Sequence, residues 1–185
     1  MVIVGIDEVG RGCWAGPLVA GAVILSGPIE GLKDSKLLTK KQRERLALEI
    51  NLQALAIGLG WVDAATIDRE GLTQAVRLAM QTALEAITEQ YDEVIIDGNL
   101  NYLAENSKTR ALVKADMSVP AVSAASIIAK VARDNYMAEI AGEYPVYGFE
   151  QHVGYGTAKH IEKLKLYGVS DLHRRSFKPV RALLQ

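Results

Sequence analysis

Val2-Ile3-Val4-Gly5-Ile6-Asp7-Glu8-Val9-Gly10-Arg11-Gly12 changes character halfway along its length. The first half is apolar and mostly β-branched with no helical period, and it reads as a short strand buried on both faces. Asp7 and Glu8 fall where that strand leaves the core. Gly10-Arg11-Gly12 follows at once, giving backbone that can take positive φ and lie close to a ligand. Carboxylates on a rigid strand end, beside a glycine-flanked cation, suit a metal and a phosphate. A polar turn that merely ends the strand would have the same local signature, so the decision rests on the rest of the chain.

Outward from this stretch, Pro17–Ser26 is a second apolar run of strand length, and its closeness favours antiparallel pairing with the first. Thr39 can cap a helix to about Asn51 with Arg43, Glu44 and Glu49 facing out. Leu52–Val62 reads as a third strand, in which Gly58 and Gly60 suggest a bulge or twist. Asp63 caps a short helical turn ending at Gly71, and Thr73 a longer helix to about Gln90 with a broad apolar face. Glu93-Val94-Ile95-Ile96-Asp97 repeats the opening pattern of apolar residues, then an acid, then Gly98. Arg110–Ala115 offers a fifth strand. An alanine-rich helix spans Pro120 to about Gly142, and a final helical region starts near Thr157.

Three early strands with short links, then strands reached through helices, describe an α/β fold with a mixed sheet. If strands one and four lie parallel and adjacent, both carboxyl ends point to one edge and Asp7 meets Asp97. Ligands of open α/β sheets commonly sit off that edge.

The 185 residues, 49% hydrophobic and 23% charged, suit one globular domain: a core of about 1–150 and a basic helical segment of about 151–185. No apolar run is long enough to span a membrane and no basic leader precedes the first strand, so a cytoplasmic location and no membrane partner are expected. A monomer is the default. The single Cys13 excludes an internal disulfide and a thiolate zinc site, and beside Trp14, Ala15 and Gly16 it reads as a small packed side chain. The net charge of −1 hides an asymmetry. Residues 151–185 carry seven Lys and Arg against two acids, giving +5, and the remainder carries −6. A basic end on an acidic body suits a polyanion held beside a carboxylate-rich site, although charge runs also form plain solvated faces.

Ser126, Lys130 and Asp134 are spaced by four and share a helix face. A surface Lys130–Asp134 pair would explain two of them, but the face is otherwise Ala, Ser and Ile, which implies burial against the sheet. Asp134 is then expected beside the strand-end acids. Four carboxylates so gathered would raise one another's pKa values unless cations were bound. All-oxygen ligands suit Mg²⁺ or Mn²⁺ rather than zinc, and two such ions are the standard apparatus for in-line phosphodiester hydrolysis.

Six ordered segments now resemble the type 2 ribonucleases H, bacterial ribonuclease HII: Gly5–Gly12, Asp34-Ser35-Lys36, Ile96-Asp97-Gly98, Ser123–Asp134, Gly154-Tyr155-Gly156-Thr157 and His173–Phe177. The resemblance spans nearly the whole chain. It implies an RNase H-like five-stranded sheet flanked by helices with a small C-terminal helical extension. It implies an endoribonuclease that cuts the RNA strand of RNA/DNA hybrids and cleaves 5′ of ribonucleotides embedded in duplex DNA, leaving 3′-hydroxyl and 5′-phosphate ends. By motif, Asp7, Glu8, Asp97 and Asp134 would be the catalytic, metal-binding acids. Gly10, Arg11 and Gly12 would read the ribose 2′-hydroxyl, the group that distinguishes RNA from DNA. Tyr155 would pack against the sugar at the RNA–DNA junction, and Lys36, Ser126, Lys130 and Arg133 would contact or support phosphates. Where members of the family often carry Lys before the Gly-Tyr segment, this chain has Val153, which shifts or removes one backbone contact. The histidines at 152, 160 and 173 are not needed as metal ligands. A DNA-processing nuclease of the same fold and a non-catalytic hybrid-binding module remain the competing readings; Tyr155→Ala discriminates the first and Asp97→Asn the second.

Overall fold

The strands β1 (Ile3–Val9), β2 (Leu18–Leu25), β3 (Ala54–Val62), β4 (Glu93–Asp97) and β5 (Thr109–Leu112) form one sheet in the order β3-β2-β1-β4-β5. These coordinates are a computed structural model that describes residues 1–32 and 38–184; Lys36 lies outside the described residues. β1 pairs antiparallel with β2 and parallel with β4, β2 pairs antiparallel with β3, and β4 pairs parallel with β5. The β1–β4 register runs from Ile3 opposite Glu93 to Ile6 opposite Ile96. Asp7 and Asp97 therefore follow as neighbours at the same edge, on strands about 4.8 Å apart.

Eight helices complete the described elements: α1 (Lys40–Gln53), α2 (Ala64–Glu70), α3 (Leu72–Glu85), α4 (Ala115–Ser118), α5 (Pro120–Ile140), α6 (Phe149–His152), α7 (Ala158–Tyr167) and α8 (Lys178–Arg181). Thr39 caps α1 through a reciprocal capping box with Gln42, and Asp63 and Thr157 cap α2 and α7. The cap expected from Thr73 is absent. Gly71, at φ 83°, ends α2 and starts α3 in one residue, leaving no linker for a side-chain cap. α3 also stops at Glu85 rather than near Gln90, where Ile87-Thr88 brings β-branched residues that lower helix propensity.

α3 covers one sheet face, packing Val76, Ala79, Met80 and Ala83 against Val4, Ile6, Leu18 and Ala20. α1 and α5 cover the other, with Leu46, Ile50, Ala124 and Ile127 around Val23. Gly58 and Gly60 do not mark the expected bulge, which falls between Ile24 and Leu25 instead. They let α3 approach closely: a Cβ at Gly60 would stand 1.9 Å from the Ala79 carbonyl oxygen, and one at Gly58 2.0 Å from that of Ala83.

The C-terminal segment folds back on the β1–β2 loop. Tyr147, Phe149 and Leu164 pack with Ala15 and Met137. The Trp14 amide donates to the Gly154 carbonyl at 2.8 Å, the Gly16 amide to Leu172 at 2.9 Å, and the Arg174 amide to Trp14 at 2.8 Å. Lys159, Lys165, Arg175, Lys178 and Arg181 are exposed, but Arg174 is fully buried. Its guanidinium donates to the carbonyls of Gly16 and Arg11, so one cation of the expected basic surface points into the protein. Among the described residues, no helix is long and apolar enough to cross a membrane.

Candidate active site

Asp7, Asp97 and Asp116 each place a carboxylate oxygen so that all three lie within 4.8 Å of one another. Asp7 arrives on β1 and Asp97 on β4. Asp116 arrives by a sharp turn after β5, in which Lys114 takes the left-handed region at φ 58° and ψ 37°. Asp97 Oδ1 accepts from the Ala115 amide at 2.7 Å and, more weakly, from that of Asp116 at 3.5 Å. The acid at the end of β4 thereby holds the first turn of α4, where unpaired amides favour a negative charge. The Ser123 hydroxyl donates to the Asp116 carbonyl and ties this turn to α5.

Asp134, expected here, is not in this group. Ser126 hydrogen-bonds the Asp7 carboxylate, and Asp134 lies eight residues further along α5, about 12 Å at helical rise. There it receives Lys130 Nζ at 2.8 Å. Spacing by four aligned the residues on one face but not at one height. Asp116 was missed, although its place just after a strand parallel to β4 was the available signal. Arg43, expected to face out from α1, lines the cleft.

Burial pushes the Asp7 carboxyl well above its usual range, and the charges of Glu8 and Asp97 push it further, against the Ser126 hydrogen bond. Burial also raises Glu8, which Arg11 partly offsets from 3.5 Å. Buried Asp7 and Asp116 and half-buried Asp97, supported by hydroxyl and amide donors, form an oxygen-only set, which fits a hard divalent cation and not zinc.

The cleft beside these acids, about 280 Å³, is lined by Asp7–Gly12, Arg43, Asp97, Ser126, Lys130 and Tyr155. A larger open groove of about 600 Å³ beside Trp61 and Tyr136 holds one acid, Asp63, which is occupied in capping α2. Gly10 stands at φ +88°, and a Cβ there would meet Arg133 Nε at 2.4 Å. Arg133 is fully buried and donates to the carbonyls of Pro17, Val153 and Ala15 at 2.8, 2.8 and 3.1 Å. It therefore supports the loop from beneath. Gly12 and Arg11 are exposed. Tyr155, 40% exposed, extends from between Gly154 and Gly156. Its hydroxyl hydrogen-bonds the buried Cys13 thiol, and Lys130 Nζ stands 5.9 Å from its ring centre. Val153 is itself left-handed, at φ 44°. His152, His160 and His173 are buried in the C-terminal segment and belong to no metal-holding group among the described residues.

Residues 4–180 match the sequence model of a family described as Ribonuclease HII. Ribonuclease HII of Nitrosococcus oceani is 49% identical over 185 residues, covering 99% of this chain and 92% of that protein. The Thermosynechococcus vestitus protein of the same name is 47% identical, with coverages of 95% and 83%. The crystal structure of ribonuclease H2 from Pyrococcus horikoshii superposes with a TM-score of 0.83 at 28% identity, covering 99% of this chain and 97% of that one.

Proposed function

This chain belongs to the ribonuclease HII family and is a ribonuclease H endonuclease, and from that premise we propose that it cuts duplex DNA on the 5′ side of an embedded ribonucleotide, besides hydrolysing the RNA strand of hybrids. The observation that carries this reading is the convergence of Asp7, Asp97 and Asp116 within 4.8 Å at the mouth of the sheet, beside a glycine-flanked arginine.

Asp7, Asp97 and Asp116 would hold divalent metal, with Glu8 at the rim. A divalent ion such as Mg²⁺ or Mn²⁺ held there would supply water activation and charge neutralisation for phosphodiester hydrolysis, whose products would be a 3′-hydroxyl and a 5′-phosphate. Ser126 orients Asp7 by its hydroxyl. The amides of the Gly10–Gly12 loop and the exposed Arg11 face the scissile phosphate and the 2′-hydroxyl, while Tyr155 packs on the next sugar. Lys130, restrained by Asp134, adds a cation at the wall of the cleft. Support for treating about 1–150 and 151–185 as one folding unit comes from Arg133 and Arg174, each of which donates across that boundary.

The test is cleavage of a labelled duplex carrying one ribonucleotide, with Mg²⁺ and Mn²⁺ in turn. Asp116→Asn is expected to lose about 10²-fold or more, while Asp134→Asn stays within about 10-fold. The reverse order would remove Asp116 from the metal-holding set.

A further inference from the structure

The Tyr155 amide donates to the His152 carbonyl at 2.9 Å, and the Tyr155 carbonyl accepts from the Thr157 amide at 2.8 Å; the same carbonyl also meets a pair of buried imidazoles. His160 Nδ1 stands 2.9 Å from that oxygen. His160 Nε2 stands 3.0 Å from His173 Nε2. His173 Nδ1 stands 2.7 Å from Ser170 Oγ and 3.0 Å from the Ser170 amide. His160 and His173 are 0% and 1% exposed.

These contacts admit one arrangement of protons. A carbonyl only accepts, so His160 carries its hydrogen on Nδ1, and in the neutral ring Nε2 is then an acceptor. His173 must donate from Nε2, which makes its Nδ1 an acceptor. What faces that Nδ1 is a backbone N–H, which only donates. The two ends of the chain thus demand the same tautomers. An extra proton on either ring leaves two donors facing each other. Burial lowers both rings to about 4, in keeping with neutral imidazoles. His152 stacks on His160 with ring centres 4.3 Å apart and accepts from the Gly154 amide, so the residue before Tyr155 is held by the same group.

We propose that His173 and His160 are positioning residues for substrate choice: their single-tautomer relay is the second hold, beside the Thr157 amide, on the Tyr155 carbonyl and, through it, on the ring that meets the sugar at the RNA–DNA junction. This rests on the reading of Tyr155 as the junction-packing residue. The relay should matter most for a single embedded ribonucleotide, where one sugar change must be registered. It should matter less for an uninterrupted hybrid, where every position in the strand can be cut.

The experiment compares kcat/KM on a duplex with one ribonucleotide and on an uninterrupted RNA/DNA hybrid, for Tyr155→Ala, His160→Ala, His173→Ala, His173→Gln and the double variant Tyr155→Ala/His173→Ala. Imidazole ¹⁵N spectra of the unmodified enzyme accompany it. His173→Ala is expected to lose about 10-fold or more on the single ribonucleotide, mainly in kcat, and about 3-fold or less on the hybrid. His160→Ala should do the same. His173→Gln, whose amide can still donate to His160, restores most of the loss. The double variant is no worse than Tyr155→Ala. Equal losses on both substrates for His173→Ala, with Tyr155→Ala remaining selective, would overturn the proposal. If Tyr155→Ala is itself unselective, the reading of Tyr155 fails instead, and the relay is judged by the spectra. Hydrogen on His160 Nδ1 and His173 Nε2 sustains it; the opposite tautomers, or a charged ring at neutral pH, refute it. Should His173→Ala not fold, His173→Gln and the spectra decide.

Discussion

Asp7 stands where burial and two neighbouring carboxylates all oppose its charge. Its pKa in the folded protein is raised, so without metal the folded state favours the protonated form. The stability gained from that form is complete below the ordinary carboxylate pKa and is lost as pH rises through the raised value. Asp7→Asn removes this slope and keeps an oxygen for the Ser126 hydroxyl and for the Glu8 amide, which now bonds Asp7 Oδ1 at 2.8 Å. In metal-free buffer at pH 7 the variant is expected to melt at a higher temperature than the unmodified protein, since it no longer carries a carboxylate whose charge the fold opposes. It should be inactive, and its Tm should respond less to added Mg²⁺ or Mn²⁺ than that of the unmodified protein. A variant that melts lower without metal would contradict this account of the site. Asp7 and Asp97 were legible in the sequence because an acid at the end of a β-branched run has few places to go. Asp116 was not, because it depends on a left-handed Lys114 that no local pattern announces. The preference for Asp134 shows that helical spacing fixes azimuth and leaves axial distance to be counted.

β1, β2 and β4 were readable as apolar runs of strand length bounded by glycine or charge, and the long α5 as an alanine-rich run opened by Pro120. α4 was not, since four residues hold a single turn and no period. The role of Gly58 and Gly60 was equally hidden: a bulge and a close helix contact leave the same mark in sequence, and only the position of α3 separates them. That contact is testable. Gly60→Ala would set a methyl group against the backbone of α3 at Ala79, and the helix must shift outward. The expected cost is about 1–3 kcal/mol, read as a lower urea midpoint. Cleavage at a permissive temperature should be little changed, since α3 contributes no residue to the acidic cleft. A midpoint equal to that of the unmodified protein would mean that the sheet and α3 yield more freely than their packing implies.

Across the whole molecule, charge was only half legible. Counting placed a cationic surface at the C-terminal end, but not the inward turn of Arg174, which the carbonyls of Arg11 and Gly16 stabilise. The same segment gives the protein an acid weakness. His160 and His173 have folded pKa values lowered to about 4, so their contribution is complete above the unfolded value of about 6.5 and is lost as pH falls toward 4. Asp7 and Glu8 act in the opposite sense. His173→Gln should therefore flatten the fall in urea midpoint between pH 6.5 and 4.5, while Asp7→Asn should steepen it. An unchanged profile in both variants would place the acid transition elsewhere. The sheet order has its own consequence for wear and repair. Because β1 lies third of five, flanked by β2 and β4, fraying at either margin leaves the strand bearing Asp7 still paired. Its amides should be among the last to exchange with deuterium, so that partially opened molecules re-close around an intact catalytic strand.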